Sequence, residues 1–377
     1  MAFWRHYRSH DSHQRPAAAW PERHQGVTYR MKDLAIVLIT KNQAWNIERL
    51  IESLLRATAR VASKQIWLVD SASTDQTVEL AKTYPVNILR LRPETVLTPA
   101  AGRYIGYKRS RGRYTLFVDG DMELYPGWLE RALRVMEEDS TVAVVTGNVI
   151  DLPMPAAGFR DTFRAIGTDE AIEVPRCGGA ALYRRAALEL VGAFNPYLRS
   201  EEEAELCLRI RHAGYRIIQL QHPLVNHYTE PNETLPGVVS RRRRGFYVGA
   251  GQVLRYHFGT KLWWPFVRAR GFAFAPAFSL MAGILSLVRS AATSQWSWFG
   301  YWCLMLVMVV VGDAMRKRSF YRTIVSLVKR LFTIEGTVIG LVMKALAPGS
   351  YPATPDVVQE VEENYHDSIQ QNEARVG

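Results

Sequence analysis

Residues Tyr114–Leu124 read YTLFVDGDMEL, an apolar, β-prone run that ends in two carboxylates around a glycine. In an extended chain, side chains two residues apart share a side, so Asp119 and Asp121 point together at one cation or one diphosphate. Gly120 is expected to let the backbone come close to that ligand. A buried strand with paired acids at its carboxyl end is how open α/β sheets place a metal-nucleotide site in the crevice beyond the strand ends. The plainer reading is a hairpin, since Asp-Gly favours a type I′ turn. The neighbouring segments decide between the two.

Upstream, Leu34 to Thr40 (LAIVLIT) is a fully apolar strand, and Asn46 to Arg60 places apolar residues at helical spacing. Ile66 to Asp70 (IWLVD) is a second strand. It is followed by SASTDQT, rich in helix-capping residues, and a helix through Lys82. A short strand (Asn87 to Leu91) and a helix (Ala100 to Lys108) lead into the central run. This β-α-β-α-β-α-β order predicts an α/β fold whose mainly parallel sheet is covered by helices on both faces. Downstream come a helix from Pro126 to Glu138, a strand from Thr141 to Gly147, and a looser crossing from Asp151 to Pro175. Next are a helix from Arg185 to Val191 and SEEEAELCLRIRHAG (Ser200 to Gly214), with Leu206, Leu208 and Ile210 directed inward. The acids there suit a helix amino end. Tyr215 to Leu220 closes the domain as a strand.

The chain has 377 residues, a formal net charge of +11 and 48% hydrophobic residues, enough for one large domain plus an apolar appendage. Cys177, Cys207 and Cys303 form no Cys-x-x-Cys, so neither a disulfide framework nor a zinc cluster is indicated, and a reducing cytoplasm fits. Residues 1–30 read as a disordered basic arm without a secretory core, and Met31 is an alternative start. Residues 241–270 form a basic, aromatic juxtamembrane segment, and two uncharged runs follow, Gly271 to Val288 and Trp296 to Gly312. Each run spans about 27 Å, so residues 271–312 are expected to make a membrane hairpin. Basic residues before the first run and after the second place the large domain on the cytoplasmic side of the inner membrane. Residues 323–347 read as an amphipathic interfacial helix and 349–377 as an acidic disordered tail. With the positive charge at the membrane edge, nucleic acid is not an expected partner.

Four segments together resemble a family 2 glycosyltransferase of the glycosyltransferase A fold over about the first 230 residues. They are IVLITKNQAWNIERLIESLL (36 to 55), LVDSASTDQT (68 to 77), Asp119-Gly120-Asp121, and FNPYLRSEEEAELCLRIRHAGYRI (194 to 217). The resemblance implies that residues 31–240 bind a nucleotide-sugar, with a UDP-sugar the first expectation. Thr40 and Asp70 would hold base and ribose, although Ser71 stands where the family often has a second Asp. Asp119 would contact the ribose or a metal-bound water, and Asp121 would ligate Mn²⁺ or Mg²⁺, hard cations suited to oxygen ligands. The cation would offset the charge gathering on the departing diphosphate. The acidic pair falls on Glu202 and Glu203. Glu203 is expected to deprotonate the acceptor hydroxyl and Glu202 to orient it or the donor sugar, giving inversion. His227 is a third metal ligand or a phosphate contact, and Gly178 and Gly179 let backbone approach the donor sugar. Plainer roles stay open: a cap for Asp70, helix-dipole pairing for the two Glu, a structural histidine for His227. The acceptor would be a saccharide or lipid-linked group in envelope or exopolysaccharide synthesis. The alternatives are a polyprenyl-phosphate sugar synthase and an inactive scaffold of a polysaccharide assembly complex.

Overall fold

The computed structural model describes residues 34–361 apart from 62, 154–167, 169 and 230–233. The amino-terminal arm, most of the crossing from Asp151 to Pro175 and the last part of the tail lie outside these. Strands β1 (Leu34–Thr40), β2 (Lys64–Asp70), β3 (Asn87–Arg90) and β4 (Tyr114–Asp119) alternate with helices α1 (Ile47–Ala57), α2 (Thr77–Ala81) and α3 (Pro99–Arg109). β1 pairs in parallel with β2 and β4, and β2 in parallel with β3. In this register Thr40 lies beside Asp70 and Ile39 beside Asp119, so three strand ends open on one edge. β1 is apolar throughout because both its faces are covered: Ile36 and Leu38 enter one core, Val37 and Ile39 the other.

The Asp-Gly-Asp stretch is not a hairpin. After β4 the chain turns and forms β5 (Met122–Leu124), which pairs with β9 (Arg216–Thr229) rather than with β4. Helix α4 (Trp128–Glu138) then leads to β6 (Val142–Pro153). β6 and β9 run parallel and both outlast the strands expected at 141–147 and 215–220, carrying Asp151 into the sheet. Local pattern under-reads β6 because its outer half is only partly buried, and β9 because polar residues and Pro223 interrupt its second half. Short β7 (Ala171–Glu173) pairs with β9, and β8 (Ala181–Arg184) lies antiparallel between β4 and β6. Helices α5 (Arg185–Val191) and α6 (Glu202–His212) follow. On α6, Leu206 and Ile210 are buried as expected, but Leu208 turns toward a separate cluster under the carboxyl-terminal helices.

That carboxyl-terminal part comprises α7 (Leu235–Arg243), α8 (Gly249–Tyr256), α9 (Trp263–Thr293), α10 (Ser297–Lys317) and α11 (Phe320–Val342). Ala275–Thr293 and Ser297–Lys317 are long and apolar enough to cross a membrane, with only 11% and 0% of their residues buried in the protein. α11 instead packs on the body, where Gly336 and Gly340 meet the backbone of Tyr247, Val248 and Gly251. The basic run contributes to this seam: Arg242 Nε donates to Glu335 Oε2 at 2.6 Å.

The tail departs from the expectation of disorder. β10 (Asp356–Gln359) adds antiparallel to β3, at the end of the sheet order β10-β3-β2-β1-β4-β8-β6-β9-β5. Edge strand β3 offers unpaired backbone groups, and the returning chain satisfies them. Tyr351 is buried beside it and donates to the Val96 carbonyl at 2.9 Å.

Candidate active site

The centre of the site is a residue that no motif singled out. Arg103 lies on α3, which Thr98 caps by accepting from the Ala101 N–H, with Pro99 in the first turn. Small residues let α3 press on β1, Gly102 against Ile39 and Gly106 against Val37. Arg103 is therefore 1% exposed, and its guanidinium reaches three acids: Asp119 at 2.6 Å, Glu202 at 2.8 Å and Glu203 at 3.0 Å. The Phe194 ring lies beneath it, 5.5 Å from the guanidinium carbon. Three carboxyls around one cation repel each other in a dry place. Burial and the neighbouring Glu203 push Glu202 up to about 8 despite Arg103. Burial likewise raises Asp119 to about 7, with Arg103 opposing and Asp121 and Glu203 reinforcing the rise. Arg103 itself is held charged, the three acids outweighing the cost of its burial. Burial thus disfavours the ionised form of Glu202, while the Glu203 side chain is the more open of the two, 20% against 6% exposed.

Gly179 belongs to this centre and Gly178 does not. A Cβ on Gly179 would collide with Asp119 Oδ2, whereas one on Gly178 would meet nothing within 4 Å. Gly120 also has a role other than the one expected. A Cβ there would meet the Gln43 side chain, the Ile39 carbonyl and Thr40, so the glycine closes β4 against β1 rather than admitting a ligand. Asn46 fixes the same turn, its amide donating to the Gly120 and Met122 carbonyls, both at 2.9 Å.

A second corner forms where β5, β9 and β6 meet. Register places Met122 opposite His227 and Asp151 beside His227, which brings Asp121 to the imidazole. His227 Nδ1 lies 2.8 Å from Asp151 Oδ1 and Nε2 lies 3.5 Å from Asp121 Oδ2. Burial lowers the imidazole, but bonds and charges from Asp121 and Asp151 prevail and bring it to about 9. Asp121 Oδ1 is buried without a partner among the described residues. A buried carboxylate oxygen left unpaired, beside a histidine whose other nitrogen is oriented by a carboxylate, fits a divalent cation. Among the described residues no three His, Cys, Asp or Glu side chains group to hold one by themselves. Asp119 turns one oxygen to Arg103 instead, so the side chains here that could hold such an ion are Asp121 and His227.

On the third side, the loops after β1 and β2 are stitched together. The Asn42 N–H donates to Ser73 Oγ at 2.8 Å and the Gln43 N–H to Thr77 Oγ1 at 2.7 Å. Asp70 is fully buried; its Oδ2 accepts from the Ser73 N–H at 2.9 Å and its Oδ1 from the Ser73 hydroxyl. Asp70 thus shapes this loop, as a capping residue would, and a ligand would have to displace one of those bonds to reach it. Thr40 Oγ1 is buried at the strand end without a partner among the described residues.

Residues 35–192 match the model of Glycosyl transferase family 2. The chain carries a family 2 glycosyltransferase domain. Over 255 residues it is 25% identical to the glycosyltransferase AglE of Haloferax volcanii, covering 63% of this chain and 81% of that one. It is 29% identical over 132 residues to polypeptide N-acetylgalactosaminyltransferase 6 of Bos taurus, 33% of this chain and 21% of the relative, so it spans about a fifth of that protein. The fold is that of a mannosyltransferase from Pyrobaculum calidifontis solved with GDP-Man and Mn²⁺, at TM-score 0.55 and 18% identity over 84% of this chain and 88% of that one. The transferase domain therefore has the glycosyltransferase A type of sheet. Its Arg103 and Asp151 were missed in the sequence, and one signal for the first was available: a lone charge in a run of small and apolar residues, PAAGRYIG.

Proposed function

We propose that the chain moves a sugar from a nucleotide-sugar to an acceptor held at a membrane, with inversion and with help from a divalent cation. The observation that carries this reading is the unequal pair on α6. Glu202 is buried and fixed by Arg103, in surroundings that disfavour its ionised form, which leaves Glu203 at the open side to take a proton. In the step itself the acceptor oxygen bonds the anomeric carbon and the bond from that carbon to the diphosphate breaks. The electron pair leaves with the nucleoside diphosphate, and the hydroxyl proton passes to Glu203. Attack opposite the leaving group inverts the centre.

Arg103 keeps the base helix aligned with Asp119 during this exchange. A cation on Asp121 and His227 would supply neutralisation of the charge that develops on the diphosphate. The stitched loops at Thr40 and Ser73 would receive the base and ribose, with a UDP-sugar the first donor to try. Two long apolar helices with basic residues before the first and at the end of the second support an acceptor in envelope or exopolysaccharide synthesis, with the domain facing the cytoplasm.

The test is a donor panel on the full chain in detergent with Mn²⁺, reading released nucleoside diphosphate, beside Glu203→Gln and Asp121→Asn. Turnover of one donor, lost in both variants, is expected. Undiminished turnover in Glu203→Gln would remove Glu203 as the base.

A further inference from the structure

Helix α6 carries a thiol one turn beyond the base. Cys207 stands four residues after Glu203 and is wholly buried in the core beside β4 and β8. Cys177 lies 30 positions earlier, in the loop that continues into Gly178 and Gly179, and its Sγ is 3.5 Å from Cys207 Sγ. Both cysteines are free, Cys177 partly exposed and Cys207 buried. The Tyr183 hydroxyl, buried on β8, sits 3.1 Å from Cys177 Sγ, within reach to donate to the sulfur as its proton leaves. Neither thiol takes part in the transfer step described above.

A short travel separates the two sulfurs from a bond. A disulfide holds its sulfurs about 2.0 Å apart, so the pair must close by about 1.5 Å. The helix is not the part that gives. Glu205 on α6 pairs with Arg209 Nε and with His257 Nε2, each at 2.7 Å, and Arg209 donates to the carbonyls of Val191 at 2.7 Å and Ala193 at 2.8 Å. Cys177 instead belongs to a segment between β7 and β8 that is neither helix nor strand. Closure therefore moves this segment and Gly179 with it. The Gly179 backbone lies so near Asp119 that a Cβ would collide with Oδ2 and crowd Arg103 Nη2.

We propose that Cys177 and Cys207 are a modification site, which a peroxide closes into a disulfide that shifts the 177–179 loop against Asp119 and slows transfer, and which a dithiol reopens. The Cys177 sulfur attacks one peroxide oxygen, the oxygen–oxygen bond breaks, and a sulfenic acid forms as a first water leaves. The Cys207 sulfur then bonds to the Cys177 sulfur, the sulfur–oxygen bond breaks, and the hydroxyl leaves with the Cys207 proton as a second water. Two electrons thus pass from the thiols to the peroxide. The order follows from access. Of the two, Cys177 alone meets solvent, while the bond to Cys177 and then burial hold the Cys207 thiol well above its ordinary range. A pair of this kind stays open in reducing surroundings and closes under oxidant. The effect on transfer rests on the roles given above to Asp119 and Glu203; the bond itself does not.

The experiment uses the full chain in detergent with Cys303→Ala, which leaves only these two thiols. It is treated with hydrogen peroxide, free thiols are counted in denaturant, and linked peptides are mapped by mass spectrometry, before and after dithiothreitol. Free thiols are expected to fall from two to none, with Cys177 joined to Cys207 within one chain. Turnover of the donor that the panel selects should fall about 10- to 100-fold, the cost of misplacing a site by about 1 Å, and return with dithiothreitol. Cys177→Ser in the same background should keep both its remaining thiol and its turnover in peroxide. Both thiols surviving treatment, Cys177 oxidised alone, or bonds formed between chains would overturn the pair. A closed disulfide with unchanged turnover, or an equal loss of turnover in Cys177→Ser, would overturn its control of the site. If the reduced chain turns over no donor, the transferase reading fails, while the thiol count still decides whether the pair closes.

Discussion

The two acidic corners of the site are built on opposite principles. Around Arg103 each acid has its partner inside the protein, and Asp119 and Glu202 are tied to it while Glu203 keeps one side open. At Asp121 the carboxylate keeps a buried oxygen that no described residue satisfies, beside a histidine held by Asp151. The first arrangement serves alignment: it locks α3, the end of β4 and the start of α6 into one rigid unit. The second is left with bonding capacity for something that arrives from outside. Motif-bearing residues sit in both, so the sequence motif alone does not separate the acids that brace from those that bind.

The sharpest way to break this contrast is to remove the brace. Arg103→Met leaves buried carboxyls without their cation and should cost about 3–5 kcal/mol of stability by urea unfolding; adding Asp119→Asn and Glu202→Gln should return much of it. A loss under about 1 kcal/mol in the single variant would mean that the centre is not structural. Glu203→Gln should lower turnover about 100- to 10,000-fold while leaving melting temperature and donor binding nearly as they are. If it unfolds the domain instead, Glu203 belongs with the brace.

The open corner should respond in the reverse sense. Asp151→Asn, which removes the orienting partner of His227, should weaken Mn²⁺ about 10- to 100-fold in calorimetry and barely move the melting temperature. Because His227 titrates at about 9, Mn²⁺ binding at neutral pH should release about one proton and tighten as pH rises. Calorimetry in two buffers of different ionisation heat reads that release, and its absence would exclude His227 as a ligand.

A separate handle on the brace is its pH dependence. Glu202 titrates at about 8 in the fold and at about 4.3 in an unfolded chain, so between these values the folded form binds the extra proton. Stability should therefore decline from about pH 5 to 8 as this group is driven to ionise. Glu202→Gln, neutral at every pH, should flatten the decline in melting temperature between pH 6 and 9. Parallel profiles for the two proteins would place the proton elsewhere.

What the chain discloses by itself follows from the range of each interaction. Strands β1, β2 and β4 declare themselves because their middles are buried on both faces and almost wholly apolar, with polar residues chiefly at their ends. The acidic pair on α6 and the Asp119-Gly120-Asp121 turn are legible because their spacing is local. Arg103 is not, since its partners lie 16 and 99 positions away and nothing near it encodes them. Asp151 falls in a stretch whose prolines suggest a loop, although pairing with β9 makes it strand. Gly120 has the residue type expected for ligand approach, yet what approaches it is Thr40 and Gln43. The four-residue strand DVVQ has no periodicity to detect. It exists because an edge some 270 positions earlier offers it hydrogen bonds.

That last strand has a topological consequence. The chain departs from the body after Arg270 and is stitched back into the same sheet at Asp356–Gln359. A thread that leaves one side of a barrier and ends on that side has crossed it an even number of times. If α9 enters a bilayer, α10 must bring the chain back, and α11, already packed on the body, cannot add a third passage. Parity thus ties the fates of the two apolar helices together without any appeal to flanking charge, and a topology reporter fused after Gln359 should always share the side of the catalytic domain.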